Sequence, residues 1–181
     1  KNPADRCYRC KHHLFGRLVE IARAEGATAV LEGSNVDDQG DYRPGMRAVD
    51  ELGIRSPLME LGFTKADIRQ LSHALGLPTA SRPSMACLAS RFPYGDTISA
   101  EALARVDAAE GAIRGMGFRI VRVRAHGSLA RVEVGPDELD AAFAARADLR
   151  ARLLELGYDH VALDLGGYRM GSMNAMLEAG Q

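Results

Sequence analysis

The sequence predicts an α/β protein: a partial Rossmann-like parallel sheet over residues 1–95, followed by a small α/β domain over residues 96–181. In the first half, apolar segments of helical period alternate with short strand-like runs, as in a parallel sheet covered by helices. In the second half the order reads helix, strand, strand, helix, strand. Between the halves, Pro78 to Gly95 holds Pro78, Pro83 and Pro93 and little periodicity, which marks a long loop. Its Met85, Ala86, Cys87, Leu88 and Phe92 are too apolar for a flexible linker.

The elements follow in order. Asn2-Pro3 reads as a helix start, because proline suits an early helical position. Leu14, Leu18, Ile21 and Ala22 form a helical apolar stripe that stops at Gly26. Thr28 to Leu31 reads as a short buried strand running into the polar turn Gly33-Ser34-Asn35-Val36-Asp37-Asp38. Pro44 to Leu52 suits a short helix closed by Gly53, and Ile54 to Leu58 a weak strand. Thr64 caps a helix, and Asp67 completes a capping box with Asp in place of the usual Glu or Gln. Ile68, Leu71 and Leu75 give that helix its apolar face before Gly76 ends it. Ser99 caps a long helix carrying Leu103, Val106, Ala109, Ile113 and Met116. Phe118 to Arg124 and Leu129 to Val134 alternate as half-buried strands do, with His126-Gly127-Ser128 as the turn. Pro136 opens a helical region to Leu156, broken near Ala147, and Val161 to Leu165 is the last strand.

Composition narrows the function. Apolar residues are 46% of the 181, enough for a substantial core, and charged residues are 26%, which argues against a largely disordered chain. A formal net charge of -1 gives no global attraction to nucleic acid or an anionic membrane. No stretch approaches the ~20 apolar residues of a membrane helix, and no signal peptide is visible. Three cysteines, two of them in a Cys-x-x-Cys, suit metal or redox chemistry in a reducing cytosol better than a disulfide framework. A cytoplasmic location is therefore expected. All basic residues except Lys1, Lys11 and Lys65 are arginine, whose planar fork suits phosphate and carboxylate groups.

Four constellations can carry chemistry. Cys7 and Cys10, three apart near a helix start, project from one face, where the helix terminus favours the thiolate. Cys87 lies in the long loop with Ser90 and Arg91, and a helical turn there would set Cys87 and Arg91 on one side. Asp37 and Asp38, just after a strand, suit magnesium on a phosphate chain, and Arg43 follows beside the rigid Pro44. Arg122 and Arg124 alternate on one strand, so both point one way and suit a phosphate, with Glu110 on the preceding helix as a partner or a surface charge. Three thiolates match an iron–sulfur cluster that keeps one open iron. Zinc held by Cys7, Cys10, Cys87 and His12 or His13 matches equally, because thiolate suits both metals.

These segments, in this order, resemble the LarE family of ATP-dependent sulfur transferases in the PP-loop pyrophosphatase superfamily. The resemblance is carried by Asn2-Pro3 with Cys7-Tyr8-Arg9-Cys10-Lys11, by Gly33 to Asp38, by Asp41-Tyr42-Arg43-Pro44-Gly45 and by Ser56-Pro57-Leu58. It continues through Thr64-Lys65, Ile68-Arg69, Gly76-Leu77-Pro78 and Ala86-Cys87-Leu88-Ala89-Ser90-Arg91. Arg122-Val123-Arg124 and Gly166-Gly167-Tyr168-Arg169 complete it. The likeness covers essentially the whole chain.

The resemblance implies an adenine nucleotide alpha hydrolase-like sheet and the use of ATP with Mg²⁺. It implies that carboxylates of a pyridinium-3,5-dicarboxylate mononucleotide become thiocarboxylates through an acyl-adenylate, on the way to a nickel-pincer nucleotide. Cys87 matches the cysteine that, in one variant of the family, gives up its sulfur. In the other variant Cys7, Cys10 and Cys87 hold a [4Fe-4S] cluster, and the presence of all three favours that variant here. By the same match Ser90, Arg91, Glu110, Arg122 and Arg124 line the substrate site, and Asn35, Asp37, Asp38 and Arg43 the nucleotide and magnesium site. A homo-oligomer and a small-molecule nucleotide substrate are expected, with no membrane or nucleic-acid partner. The family's phosphate loop, Ser-Gly-Gly-x-Asp-Ser-like, does not occur in the sequence, which opens on Lys1. The expectation is a chain lacking its N-terminal part and inactive alone. The rival readings are a PP-loop tRNA thiolase and a non-catalytic zinc module.

Overall fold

A computed structural model describes residues 2–40, 44–82 and 85–169. The chain is α/β, with seven α-helices and a three-stranded mixed sheet among the described residues. It divides into two compact units, residues 3–83 and residues 1–2 with 84–181.

In the 3–83 unit, α1 (Arg6–Ala24) begins just after Pro3, whose carbonyl accepts the Arg6 amide at 2.9 Å. The expected strands at Thr28–Leu31 and Ile54–Leu58 shrink to a single parallel bridge, Leu31 with Arg55. Arg55 N–H donates to Val30 and Glu32 N–H to Arg55. Pro57 then opens the short helix α3 (Pro57–Glu60), and a proline has no amide with which to extend a ladder. Parallel pairing flanked by helices is consistent with a piece of a Rossmann-like layer. Helix α2 (Gly45–Glu51) packs on α1 where Gly45 faces the Cys7–Lys11 turn. A Cβ at Gly45 would stand 2.9 Å from Lys11 Cδ and 3.4 Å from the Cys7 carbonyl, so only glycine permits this approach without a shift. Helix α4 (Lys65–Ala74) carries the expected capping box: Thr64 Oγ1 accepts the Asp67 amide and Asp67 accepts the Thr64 amide. The expected apolar stripe of α1 is not a core face here. Leu14 and Ile21 are each 52% exposed, and no residue of α1 is buried. Leu71 and Leu75 on α4 are exposed as well.

The second unit has its own core. Helix α5 (Ala100–Gly115) is capped by Ser99, whose hydroxyl accepts the Ala102 amide at 3.1 Å. It lays Val106, Ala109 and Ile113 against the sheet β1 (Val121–His126), β2 (Leu129–Val134) and β3 (His160–Leu163). The helical region breaks at Ala145 into α6 (Leu139–Ala144) and α7 (Arg146–Glu155). The order is β1-β2-β3, with β1 antiparallel and β3 parallel to β2. β1 starts three residues later and ends two later than expected, β2 has the expected bounds, and β3 starts one residue earlier and ends two earlier. Side chains alternate across a strand. Val121, Val123 and Ala125 therefore share the core face of β1, and Arg122 and Arg124 share the other. All five are buried. The second face of the sheet is a buried ionic layer, and it positions the site.

Candidate functional site

The Cys87 turn rests on that layer. Cys87 is an exposed free thiol at the N-cap of the 3₁₀ turn Leu88–Arg91, and its carbonyl accepts the Ser90 amide at 2.9 Å. Arg91, 3% exposed, folds beneath the turn. Its Nη1 donates to the carbonyls of Ala86 (3.2 Å) and Cys87 (3.3 Å) and to Ser90 Oγ (2.9 Å). Its Nε and Nη2 grip both oxygens of Glu110 at 2.7 and 3.0 Å. Glu110 is thus neither a surface charge nor idle. It sits 2% exposed on α5, accepts the Val123 amide from the edge of β1 at 3.0 Å, and meets Arg114 at 3.3 Å. Burial alone would raise its pKa, yet the Arg91 bonds and charge, the Val123 amide and the Arg122 charge outweigh burial and hold it below the ordinary glutamate value.

Arg124 repeats the pattern. Its Nε and Nη2 pair with both oxygens of Glu133 at 2.9 and 2.7 Å, and its Nη1 donates to the Ser90 carbonyl at 3.0 Å. Arg122 donates to the Val121 carbonyl at 2.8 Å, and its guanidinium lies 4.9 Å from the Tyr168 ring centre. Burial, then the nearby Arg91 charge, lowers its pKa from the ordinary arginine value. Tyr168 is set by Gly167, whose φ of +64 and close approach to the Val134 carbonyl exclude a side chain. Among the described residues Arg114 also pairs with Glu110, and Arg131 with Glu133 and Asp164, so the ion pairs run on to the partly exposed rim of the layer.

The 3–83 unit holds the other expected residues. The Gly33–Asp38 turn is internally bonded: Asp38 Oδ2 accepts the Asn35 amide at 3.0 Å, and Asn35 Oδ1 accepts the Asp37 amide at 3.1 Å. Asp37 Oδ2 accepts the amide of Lys65, the first residue of α4, at 2.8 Å. Each carboxylate thus commits one oxygen to backbone. Arg43 lies outside the described residues. Cys7 and Cys10 are exposed on α1. Among the described residues no three His, Cys, Asp or Glu side chains gather closely enough to hold a metal ion.

Sequence reasoning missed three residues. Glu133 gave only an alternation signal on β2. Glu32 takes hydrogen bonds from the Ser34 amide (3.0 Å) and hydroxyl (2.8 Å) and from the Ser56 hydroxyl, with Lys11 Nζ 3.7 Å away. Burial would raise its pKa, but those bonds and Lys11 lower it overall. Asn2, fully buried, is more than a helix start. Its amide nitrogen donates to the carbonyls of Phe92 (3.0 Å) and Pro93 (2.6 Å), and its backbone pairs with Gly95 and Asp96.

Comparison with known proteins adds to this geometry. No protein-family model matches the chain. It is 43% identical over 178 residues to an uncharacterized protein of Synechocystis sp., covering 97% of this chain and 66% of that protein. It is 40% identical over 180 residues to the pyridinium-3,5-bisthiocarboxylic acid mononucleotide synthase of Lactiplantibacillus plantarum, covering 99% of this chain and 65% of that protein. An uncharacterized protein of Methanocaldococcus jannaschii is 30% identical over 169 residues, covering 93% and 66%. The chain thus spans just under two thirds of the length of these curated relatives.

Proposed function

We propose that the chain belongs to the LarE family and that the whole protein is an ATP-dependent sulfur transferase acting on a pyridinium-3,5-dicarboxylate mononucleotide in nickel-pincer nucleotide biosynthesis. The observation that carries the proposal is the exposed Cys87 thiol on a turn bolted to a buried layer of ion-paired arginines. A bisthiocarboxylic acid product, which the name of the Lactiplantibacillus relative specifies, requires carbon–sulfur bond formation at two carboxylates.

A substrate carboxylate oxygen attacks the α-phosphorus of ATP and releases pyrophosphate, giving an acyl-adenylate. The Cys87 thiolate attacks the acyl carbon and AMP leaves, giving a thioester. Loss of the Cys87 Cα proton with cleavage of its Cβ–Sγ bond releases the thiocarboxylate and leaves dehydroalanine. Arg122 is assigned to the substrate phosphate, together with the Ser90 hydroxyl, which takes a hydrogen bond from Arg91. Arg91, Glu110 and Arg124 are assigned to holding that surface, since each is committed to buried partners. Asn35, Asp37, Asp38 and Arg43 are assigned to the nucleotide, with the carboxylates of Asp37 and Asp38 toward Mg²⁺.

The cluster variant asks Cys7, Cys10 and Cys87 to share one [4Fe-4S] group. Their donor chemistry suits iron, as all are exposed free thiols. In that variant Cys7, Cys10 and Cys87 would hold the cluster, which would supply the transferred sulfide. The test is the intact mass of the full-length protein after turnover with ATP and the dicarboxylate mononucleotide. Loss of the elements of hydrogen sulfide at Cys87 supports the steps above. Unchanged mass with iron and acid-labile sulfide in anaerobically purified protein replaces them with the cluster variant. Full activity in Cys87→Ser overturns both.

A further inference from the structure

We infer that Glu133 is a positioning residue for the sulfur-bearing turn, acting through Arg124 on the Ser90 carbonyl. Glu133 is 1% exposed at the centre of the sheet, on β2. In the β1–β2 register it lies opposite Arg122 and diagonal to Arg124, on the same face. Both its oxygens take the fork of Arg124, which fixes the guanidinium plane and aims the remaining nitrogen, Nη1, at Ser90 O, 3.0 Å away. Glu133 is also held by Arg131, two residues before it on the same face of β2. Arg131 Nη2 donates to it at 3.1 Å, and Arg131 Nη1 lies 3.4 Å from Asp164. A chain of charged groups thus runs from Asp164, just beyond β3, through Arg131, Glu133 and Arg124 to the backbone of the turn.

The turn needs this hold. Its internal bond from Ser90 N–H to the Cys87 carbonyl fixes one end relative to the other, and Arg91 fixes the Cys87 carbonyl to α5. Ser90 O, at the other end, is fixed to the sheet by Arg124. Two bidentate pairs on two different elements leave the turn little freedom to rock. An attacking sulfur must meet an acyl carbon within a narrow range of distance and angle. Aspartate at 133 would retreat by one methylene, and glutamine would keep the shape but offer a donor to a guanidinium that needs an acceptor.

A role in sulfur delivery rests on Cys87 as the donor; the hold on the turn does not. The experiment uses the full-length protein with Glu133→Gln. The rate of iodoacetamide alkylation at Cys87 is followed by peptide mass spectrometry, with Cys7 and Cys10 as internal references. The expected result is a change of about threefold or more at Cys87 alone, as for coupled neighbours in one network. Thiocarboxylate formation should lose about tenfold in its single-turnover rate constant at saturating nucleotide, with the half-saturating nucleotide concentration unchanged. Glu133→Asp, which keeps the charge, should recover part of both. Alkylation equal to the parent in a folded variant overturns the inference, as does a raised half-saturating nucleotide concentration with an unchanged single-turnover rate constant. If Glu133→Gln does not fold by circular dichroism, Arg124→Lys is judged by the same two criteria. Should alkylation respond while Cys87→Ser still transfers sulfur, the sulfur-donor reading fails and the positioning role stands.

Discussion

Residues 84–181 enclose a continuous apolar core behind a layer of ion pairs, while residues 3–83 bury Ala48, Val49, Ile54 and Ala80 and leave the leucines of α1 and α4 in solvent. Both regions show clear apolar periodicity in sequence. The difference is that Val106, Ala109 and Ile113 meet a sheet within their own unit, whereas Leu14, Leu18 and Ile21 meet nothing that buries them. Periodicity marks a face suited to a partner and does not supply one. The consequence for function is local. The Cys87 turn stands on a scaffold that is complete, and the Gly33–Asp38 turn is shaped by its own short-range bonds.

The sharpest way to break this comparison is Glu110→Gln. Removing one member of a buried pair leaves Arg91 uncompensated, so the variant should lose about 3–5 kcal/mol in denaturant unfolding. The effect should be pH-dependent. Because the folded Glu110 carboxyl lies below its ordinary value, its stabilisation is present above the unfolded pKa of about 4.3 and disappears as pH falls through the lower folded value. Unfolding midpoints of the parent and Glu110→Gln should therefore converge as pH falls through that lower folded value, where the carboxyl becomes protonated in both states.

The next test sets the two regions side by side. Ile113→Ala should cost about 2–5 kcal/mol, as core truncations do. Leu14→Ala on exposed α1 should stay within about 0.5 kcal/mol. Equal losses in the full-length protein would mean that α1 is covered there. Asn2→Ala removes two buried side-chain bonds from the Phe92–Pro93 segment and should cost about 1–3 kcal/mol in thermal unfolding. Thr64→Ala, which deletes a solvent-facing cap on α4, should cost about 1 kcal/mol, the smallest loss among the truncations of bonded groups.

Local chemistry made much of this readable in advance. The Thr64–Asp67 capping box, the Ser99 cap and the β1–β2 turn at Gly127 each depend on residues within four positions of one another. The candidate residues Cys87, Ser90, Arg91, Glu110, Arg122 and Arg124 fall in one unit, and all but Cys87 pack into or beside its buried layer. Their partners were not readable. Arg122 and Arg124 were expected to face a phosphate together, yet Arg124 pairs with Glu133 and Arg122 lies over Tyr168. Nothing within a few residues of either arginine announces those contacts, and a buried arginine takes whichever carboxylate the sheet register brings within reach.

By itself, the sequence determined the α/β class, the positions of caps, turns and helix stops, and the three thiols with their family likeness. These follow from spacing, backbone propensity and residue chemistry, which are properties of neighbours along the chain. Only the tertiary structure decided which apolar faces are buried, that Asn2 clamps a loop some ninety residues away, and that Glu110 and Glu133 orient the arginines under Cys87. Those outcomes depend on strand register and on the strong tendency of buried charges to find partners, and neither is encoded in any local stretch.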